Sequence, residues 1–388
     1  MFLTSILKIY RICLVALKEV IKEAQAYENS HIKSWKADGR KVVGYICVAT
    51  PVEVLEAGGI LPYRIRALGN PETELADAYL SRFNCSFCRS CLQLGLKGTF
   101  DFLDGMIGSN GCDHLRGMME NWRYARGFKF YHYVKVPHFT DPDSLKFFQE
   151  EVELYKKAVE EHFDLTISDE SLWQVINRQE RVREKLRVIY QLREQDPPSL
   201  YGWEVLSIYL FVSSVPSELA EDVLDQIIDE RKDFKIESGR ARILFAGSAT
   251  DEINFIKEIE ELGALVVSDA FCYGTRAFWA KSSKEQSSNP CDELARIYLD
   301  GLLCPRMFDQ FPKRKDFILK AVERAKVDGV VLVHNKFCDV HGVDNVQLRL
   351  ALEKEGIPTL QLEKEYTARA DIGRFKTRIQ AFLEKLGK

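Results

Sequence analysis

Cysteine is the residue type with most chemistry to offer in this chain, at positions 13, 47, 85, 88, 91, 112, 272, 291, 304 and 338. Cys85-Ser-Phe-Cys88-Arg-Ser-Cys91 has the spacing that opens a bacterial ferredoxin run, yet Leu94 to Lys97 bring no fourth thiol. That spacing suggests an iron–sulfur cluster and is incomplete as a self-contained site. On a helix the three thiols drift across one broad face, so one or two of them can also serve as buried packing. Cys112 and Cys338 carry a sharper signal, because each stands just past an apolar β-rich run and opens a helical stretch. A thiol there gains from the helix dipole and from free backbone N–H groups, which favour the thiolate that binds metal. Cys272-Tyr-Gly-Thr-Arg276 and Cys304-Pro305-Arg306 are further candidates, whereas Cys13, Cys47 and Cys291 have no converging partner and read as structural. Zinc competes through Cys112, His114, Cys338 and His341, but structural zinc sites usually pair two C-x2-C knuckles and the chain has one such cluster. Glu53, in Pro51-Val-Glu53, lies just past the first strand and is the candidate acid or base of a cleft, although a glutamate there can also be a helix cap.

These residues need elements to place them. From Lys41 to Pro137, β-rich runs at Val42–Val48, Ile60–Arg66, Asp104–Ser109 and Phe130–Val136 alternate with helices beginning near Pro51, Asn84 and Cys112. Such alternation predicts βαβ units and a parallel sheet. Residues 143–237 change to helical periodicity, broken into two pieces at Asp196-Pro197-Pro198. After Gly239 the alternation returns, with strands at Arg242–Ala246, Ala264–Asp269, Gly329–His334 and Thr359–Leu362 and helices from Asp251, Cys291, Lys313, Val343 and Asp371. The reading is an α/β chain with two flavodoxin-like parallel-sheet domains, at 41–142 and 238–388, a helical insert at 143–237 and an N-terminal helical segment at 1–40. The halves echo each other: Asp104-Gly105 leads to Cys112-Asp113, and Asp328-Gly329 leads to Cys338-Asp339. Open parallel sheets bind ligands at their carboxyl ends, so two facing sheets would bring these cysteines to a common cleft.

Composition narrows the functions. With 388 residues, 46% hydrophobic and 29% charged, the chain is long and apolar enough to fold into two or three domains. Its 54 basic and 58 acidic residues are dispersed along the chain, which argues against a nucleic-acid partner. Apolar residues between Met1 and Ala24 recur at helical spacing, but Lys8, Arg11 and Lys18 interrupt any membrane span, and the chain reads as soluble and cytoplasmic. Ten cysteines in a cytoplasmic chain point to ligation, redox chemistry or burial rather than disulfides. Neither G-x-x-x-x-G-K-[ST] nor G-x-G-x-x-G occurs, so intrinsic ATPase or nicotinamide chemistry has little support. Gly247-Ser-Ala-Thr250 is a weak phosphate-binding signal at a strand-to-helix turn.

Taken in order, Pro51-Val-Glu53 through Leu61-Pro62, Cys85-Ser-Phe-Cys-Arg89-Ser90, Asp104-Gly105 with Cys112-Asp113, Lys336-Phe-Cys338-Asp339, Gly356-Ile-Pro358 and Thr377 to Glu384 resemble the 2-hydroxyacyl-CoA dehydratase and benzoyl-CoA reductase subunit family. The resemblance runs from about Ser34 to the last helix. It implies a [4Fe–4S] cluster whose three ligands fall, by motif, on Cys85, Cys112 and Cys338. It further implies an acyl-CoA substrate, assembly with a homologous second subunit or with a second copy as a homodimer, and a separate ATP-hydrolysing activator that delivers low-potential electrons. One electron added to a thioester carbonyl eases loss of a 2-hydroxyl or reduction of an aromatic ring, which ordinary acid–base steps cannot achieve. Cys88, Cys91, Cys272 and Cys304 depart from the plain three-cysteine pattern. A related branch, the double-cubane [8Fe–9S] cluster proteins that reduce small molecules, uses additional cysteines, and a non-catalytic electron-relay or scaffold subunit is a further alternative.

Overall fold

The computed structural model describes residues 16–237, 239–282, 289–366 and 372–387. The expected N-terminal helix is seen from residue 16 onward, and its first part, with Cys13, lies outside the described residues. Among the described residues, eight strands form two four-stranded sheets. β1 (Val42–Tyr45), β2 (Leu61–Arg64), β3 (Gly105–Ser109) and β4 (Phe130–Val134) make the first, in the order β2-β1-β3-β4. β5 (Ala241–Gly247), β6 (Ala264–Ala270), β7 (Gly329–Asn335) and β8 (Thr359–Lys364) make the second, in the order β6-β5-β7-β8. Every pairing is parallel. The central strands β1, β3 and β5 are buried along their whole length and β7 at every residue but His334, as sheets covered on both faces require, while β4 and β8 at the edges are partly exposed. All eight expected strands are present, with β1, β2 and β4 shorter at their carboxyl ends than their apolar runs suggest.

The insert differs from expectation in its number of pieces. It holds four helices, α5 (Pro142–Phe163), α6 (Asp169–Glu194), α7 (Gly202–Val212) and α8 (Ser217–Arg231), following α1 (Ser30–Ala37), α2 (Glu53–Ala57), α3 (Ser86–Leu96) and α4 (Asp113–Arg126). Asp164 ends α5 in the left-handed region at φ 52°, and the Ser168 hydroxyl caps α6 by accepting from the Ser171 N–H. Ser213 to Pro216 separate α7 from α8, and the Asp196-Pro197-Pro198 break stands between α6 and α7.

Helix α6 acts as a strut between the sheets. Arg183 bonds Glu53 on α2 at 2.9 Å, while Arg193, almost three turns on, bonds Asp269 on β6 at 2.9 Å. Glu194 at its end accepts from Ser268 and from Arg324 of α11 (Phe311–Arg324). The two α/β units also touch directly. Asp251 accepts from the Ala67 and Leu68 N–H groups at 2.7 and 3.2 Å, Arg64 donates to the Cys272 carbonyl at 2.6 Å, and Tyr366 N–H donates to Ser86 Oγ at 2.8 Å. The last bond fastens the residue beside Cys85 to the second unit.

Candidate functional site

Three thiols reach one cavity from three different turns. Cys112 follows β3 and caps α4, its backbone extended at φ −160° and its Sγ accepting the Leu115 N–H at 3.3 Å. Cys338 occupies the equivalent turn after β7 and precedes α12 (Asp339–Lys354), with Phe337 before it at φ 64°. Cys85 caps α3 from the long connection after β2. Gly247 makes room behind Cys338: at φ 128°, a Cβ there would stand 1.9 Å from the Val333 carbonyl oxygen, so only glycine lets β5 end against β7. Ser248 beyond it accepts the Asn335 N–H at 3.0 Å.

The cavity they line has a volume of about 520 Å³ and lies at the carboxyl ends of both sheets. Cys85 is buried; Cys112 and Cys338 are half-buried. Hydrogen bonds from the Cys338 and Cys88 thiols hold the Cys85 thiol well below the usual cysteine range, with His114 adding to the effect against the penalty of burial. Cys112 is also held down, by the Cys88 thiol and the Leu115 N–H. Cys338 and Cys88, the neighbours that donate, are pushed up. His114 ties the turns together: its Nδ1 accepts the Cys85 N–H at 3.1 Å, and its Nε2 faces Asp339 Oδ2 across the cleft at 3.4 Å.

Arginines build the rest of the wall. Arg306 donates to the carbonyls of Pro137, Val136 and Asn110 at 2.6, 2.7 and 3.3 Å, pinning the turns after β3 and β4. Arg314 donates to the Cys304 carbonyl at 3.1 Å and to Asp344 at 2.7 Å. Phe308, 70% exposed, stands at the mouth beside His138. Sequence reasoning singled out Cys304-Pro-Arg for its thiol, whereas the side chain that reaches the cavity wall from that segment is Arg306. It also took His114 only as a zinc donor and missed its place between the two units.

The remaining candidates lie elsewhere. Cys88, the third residue of α3, is buried and off the cavity wall. Cys91, one turn further, is fully buried and is pushed up by that burial. Cys272 and Cys304 are half-buried and off the cavity wall. Glu53 is not brought to the thiols: it is fully buried, with one carboxylate oxygen accepting from Arg183 at 2.9 Å and the other from Tyr298 at 2.8 Å. Arg276, in the Cys272-Tyr-Gly-Thr-Arg276 segment, is buried against the Gly247 carbonyl and the His341 ring.

Soft thiolates on separate turns suit an iron–sulfur cluster, and the donor set lining this cavity fits one. Among the described residues, no three His, Cys, Asp or Glu side chains are arranged to chelate a single ion. A polynuclear cluster does not need that convergence, because its ligands attach at separate irons.

Residues 47–386 match the family model described as 2-hydroxyglutaryl-CoA dehydratase, D-component. The chain is 26% identical over 375 residues to the (R)-phenyllactyl-CoA dehydratase beta subunit of Clostridium sporogenes, covering 95% of this chain and 97% of that one. It is 27% identical over 388 residues to the putative dehydratase subunit YjiM of Escherichia coli, covering 96% and 98%. It is 26% identical over 323 residues to a benzoyl-CoA reductase subunit of Thauera aromatica, covering 79% and 81%.

Proposed function

The chain belongs to the 2-hydroxyglutaryl-CoA dehydratase D-component family, and from that premise we propose that it is the iron–sulfur subunit of an acyl-CoA dehydratase or benzoyl-CoA-type reductase. The observation that carries this reading is the arrival of Cys85, Cys112 and Cys338 at one cavity between two parallel sheets. These three thiolates would hold a [4Fe–4S] cluster, which when bound supplies single electrons of low potential to a CoA thioester. Relatives named as subunits support assembly with a homologous partner, and an ATP-hydrolysing activator would bring the electrons.

The protein's own groups prepare that cavity. The Leu115 N–H and the opening turn of α4 favour a thiolate at Cys112. The Cys85 N–H is already satisfied by His114, so the loop does not have to reorganise to expose its sulfur. Arg306 and Arg314 line the wall as fixed cations, and their bonds to carbonyls and to Asp344 keep them there whether or not an anionic substrate is present. Phe308 and Phe311 add apolar surface that limits water in the cleft. Among the described residues no helix is long and apolar enough to cross a membrane. Because Cys272 and Cys304 lie off the cavity wall, one cubane is favoured over a double cubane.

Iron and acid-labile sulfide per chain, measured on protein purified without oxygen, test the reading. About four irons support it, and about eight favour the double-cubane alternative. Zinc, or no metal, would overturn it.

A further inference from the structure

We propose that the chain binds a small monovalent anion, a halide or a one-carbon carboxylate, in a second cavity where the first sheet, the helical insert and the second unit meet, with Arg64, Arg183 and Thr50 as its ligands. The site shares no residue with the thiol cavity and does not depend on the iron–sulfur reading.

The cavity has a volume of about 70 Å³. Arg64, the last residue of β2, and Thr50, in the connection after β1, reach its wall from the first unit, Arg183 from α6 and Phe278 from the second unit. Arg64 is 1% exposed, so its charge has left water. Its bonds go to the Ile46 and Cys272 carbonyls at 3.4 and 2.6 Å and to the Tyr209 hydroxyl, and its guanidinium lies 3.9 Å from the centre of the Tyr273 ring. Among the described residues no carboxylate stands within ion-pair distance of it. A buried cation without a countercharge is costly.

Two further polar groups of wall residues are buried and have no partner among the described residues, Thr50 Oγ1 and Arg183 Nη2. Arg183 is otherwise committed, its Nη1 to Glu53 at 2.9 Å and its Nε to Glu180 at 3.0 Å. Glu56 brings the one carboxyl on the wall; it accepts from Gln179 and Ser217, and burial favours its neutral form. Water takes up about 30 Å³ per molecule, so two waters fit the volume and satisfy the hydroxyl and the guanidinium N–H groups. They leave Arg64 without an opposite charge. An anion of one to three heavy atoms fits the same volume, can accept from all three side chains and supplies that charge.

Thermal unfolding of the full-length protein tests the site. The protein is dialysed into sodium gluconate, whose anion is too large for the cavity, and sodium chloride or sodium formate then replaces the gluconate at constant ionic strength. The wild-type Tm is expected to rise with the small anion and to keep rising with its concentration, as binding to the folded state alone requires, while Arg64→Met does not respond. A rise with chloride alone assigns a halide, and a rise with formate alone assigns a carboxylate. A wild-type Tm that is the same in all three salts would overturn the proposal and leave the cavity to water. So would an equal rise in Arg64→Met, because the anion would then act elsewhere. If Arg64→Met does not fold, Thr50→Val decides: it keeps the shape of the wall, removes the unpartnered hydroxyl and is expected to need about tenfold more anion for the same rise. An unchanged response in that variant would refute the site.

Discussion

The thiol cavity and the Glu53 nest begin from the same sequence signal and end as opposite kinds of site. Both include titratable residues on connections beyond the carboxyl ends of parallel strands, Glu53 after β1, Cys112 after β3 and Cys338 after β7 of the second sheet. At Glu53 each carboxylate oxygen has a partner, from Arg183 on α6 and Tyr298 on α10 (Pro290–Leu299), and the group is fully buried. At the cavity three free thiols line one wall, two of them are half-buried, and about 520 Å³ opens in front of them. A buried charge with every partner in place stabilises the junction of three helices and has nothing left to offer a ligand. Sulfurs that converge from separate turns beside open space have capacity to spare.

The largest effect that separates the two sites is metal content. Cys338→Ser is expected to lose most or all of its iron while its circular dichroism stays that of the wild type, since Cys338 is at a cavity wall and outside the apolar core. Iron equal to the wild type in that variant would remove Cys338 from the ligand set. On the other side, Arg183→Met leaves Glu53 buried with its charge uncompensated, a change that costs about 3–5 kcal/mol in comparable settings. Denaturant titration should show that loss, with the iron per folded chain unchanged. A metal-depleted but equally stable Arg183→Met protein would mean that the nest serves the cavity after all.

The smaller change Glu53→Gln keeps the shape and the Tyr298 contact and gives up only the charge. Stability should fall by about 1–2 kcal/mol, the range for a charge-assisted hydrogen bond, with no change in iron. Were Glu53 an acid or base of the reaction, turnover would collapse in this variant at unchanged stability.

The fold was legible because its strands are short apolar runs bounded by turn residues, and burial on both faces leaves them no other reading. The insert was less so. Asp164 at φ 52° and the Ser213–Pro216 turn end helices by backbone geometry, with no proline pair to mark the place as Pro197-Pro198 does. Cys112 and Cys338 could be placed from sequence because a strand end fixes the residue just beyond it. Glu53 could not, since its partners Arg183 and Tyr298 lie 130 and 245 residues away, and a carboxylate facing a cleft looks the same in sequence as one sealed by them.

The mildest test uses Glu56, one turn beyond Glu53. Its carboxyl accepts from Gln179 at 2.7 Å and from Ser217 at 2.8 Å, and burial pushes its pKa up to about 7. An unfolded chain has a glutamate near the ordinary value of about 4.3, so between roughly pH 4.5 and 7 the folded state holds more protons. Stability therefore falls as pH rises through that window and levels off above it, by roughly 1 kcal/mol once partial exposure of the side chain is allowed for. Glu252 and Glu260, also pushed up to about 7 by burial, add to the slope over the same window, so Glu56→Gln should reduce it by the share of Glu56 alone while leaving the thiol cavity untouched. The comparison with the thiols is then direct: if the iron of the metal-loaded protein stays constant over the same window while stability declines, the two sites are energetically separate. If iron is released in step with Glu56 ionisation and Glu56→Gln abolishes that release, α2 and α6 communicate with the cavity and the nest is part of its support.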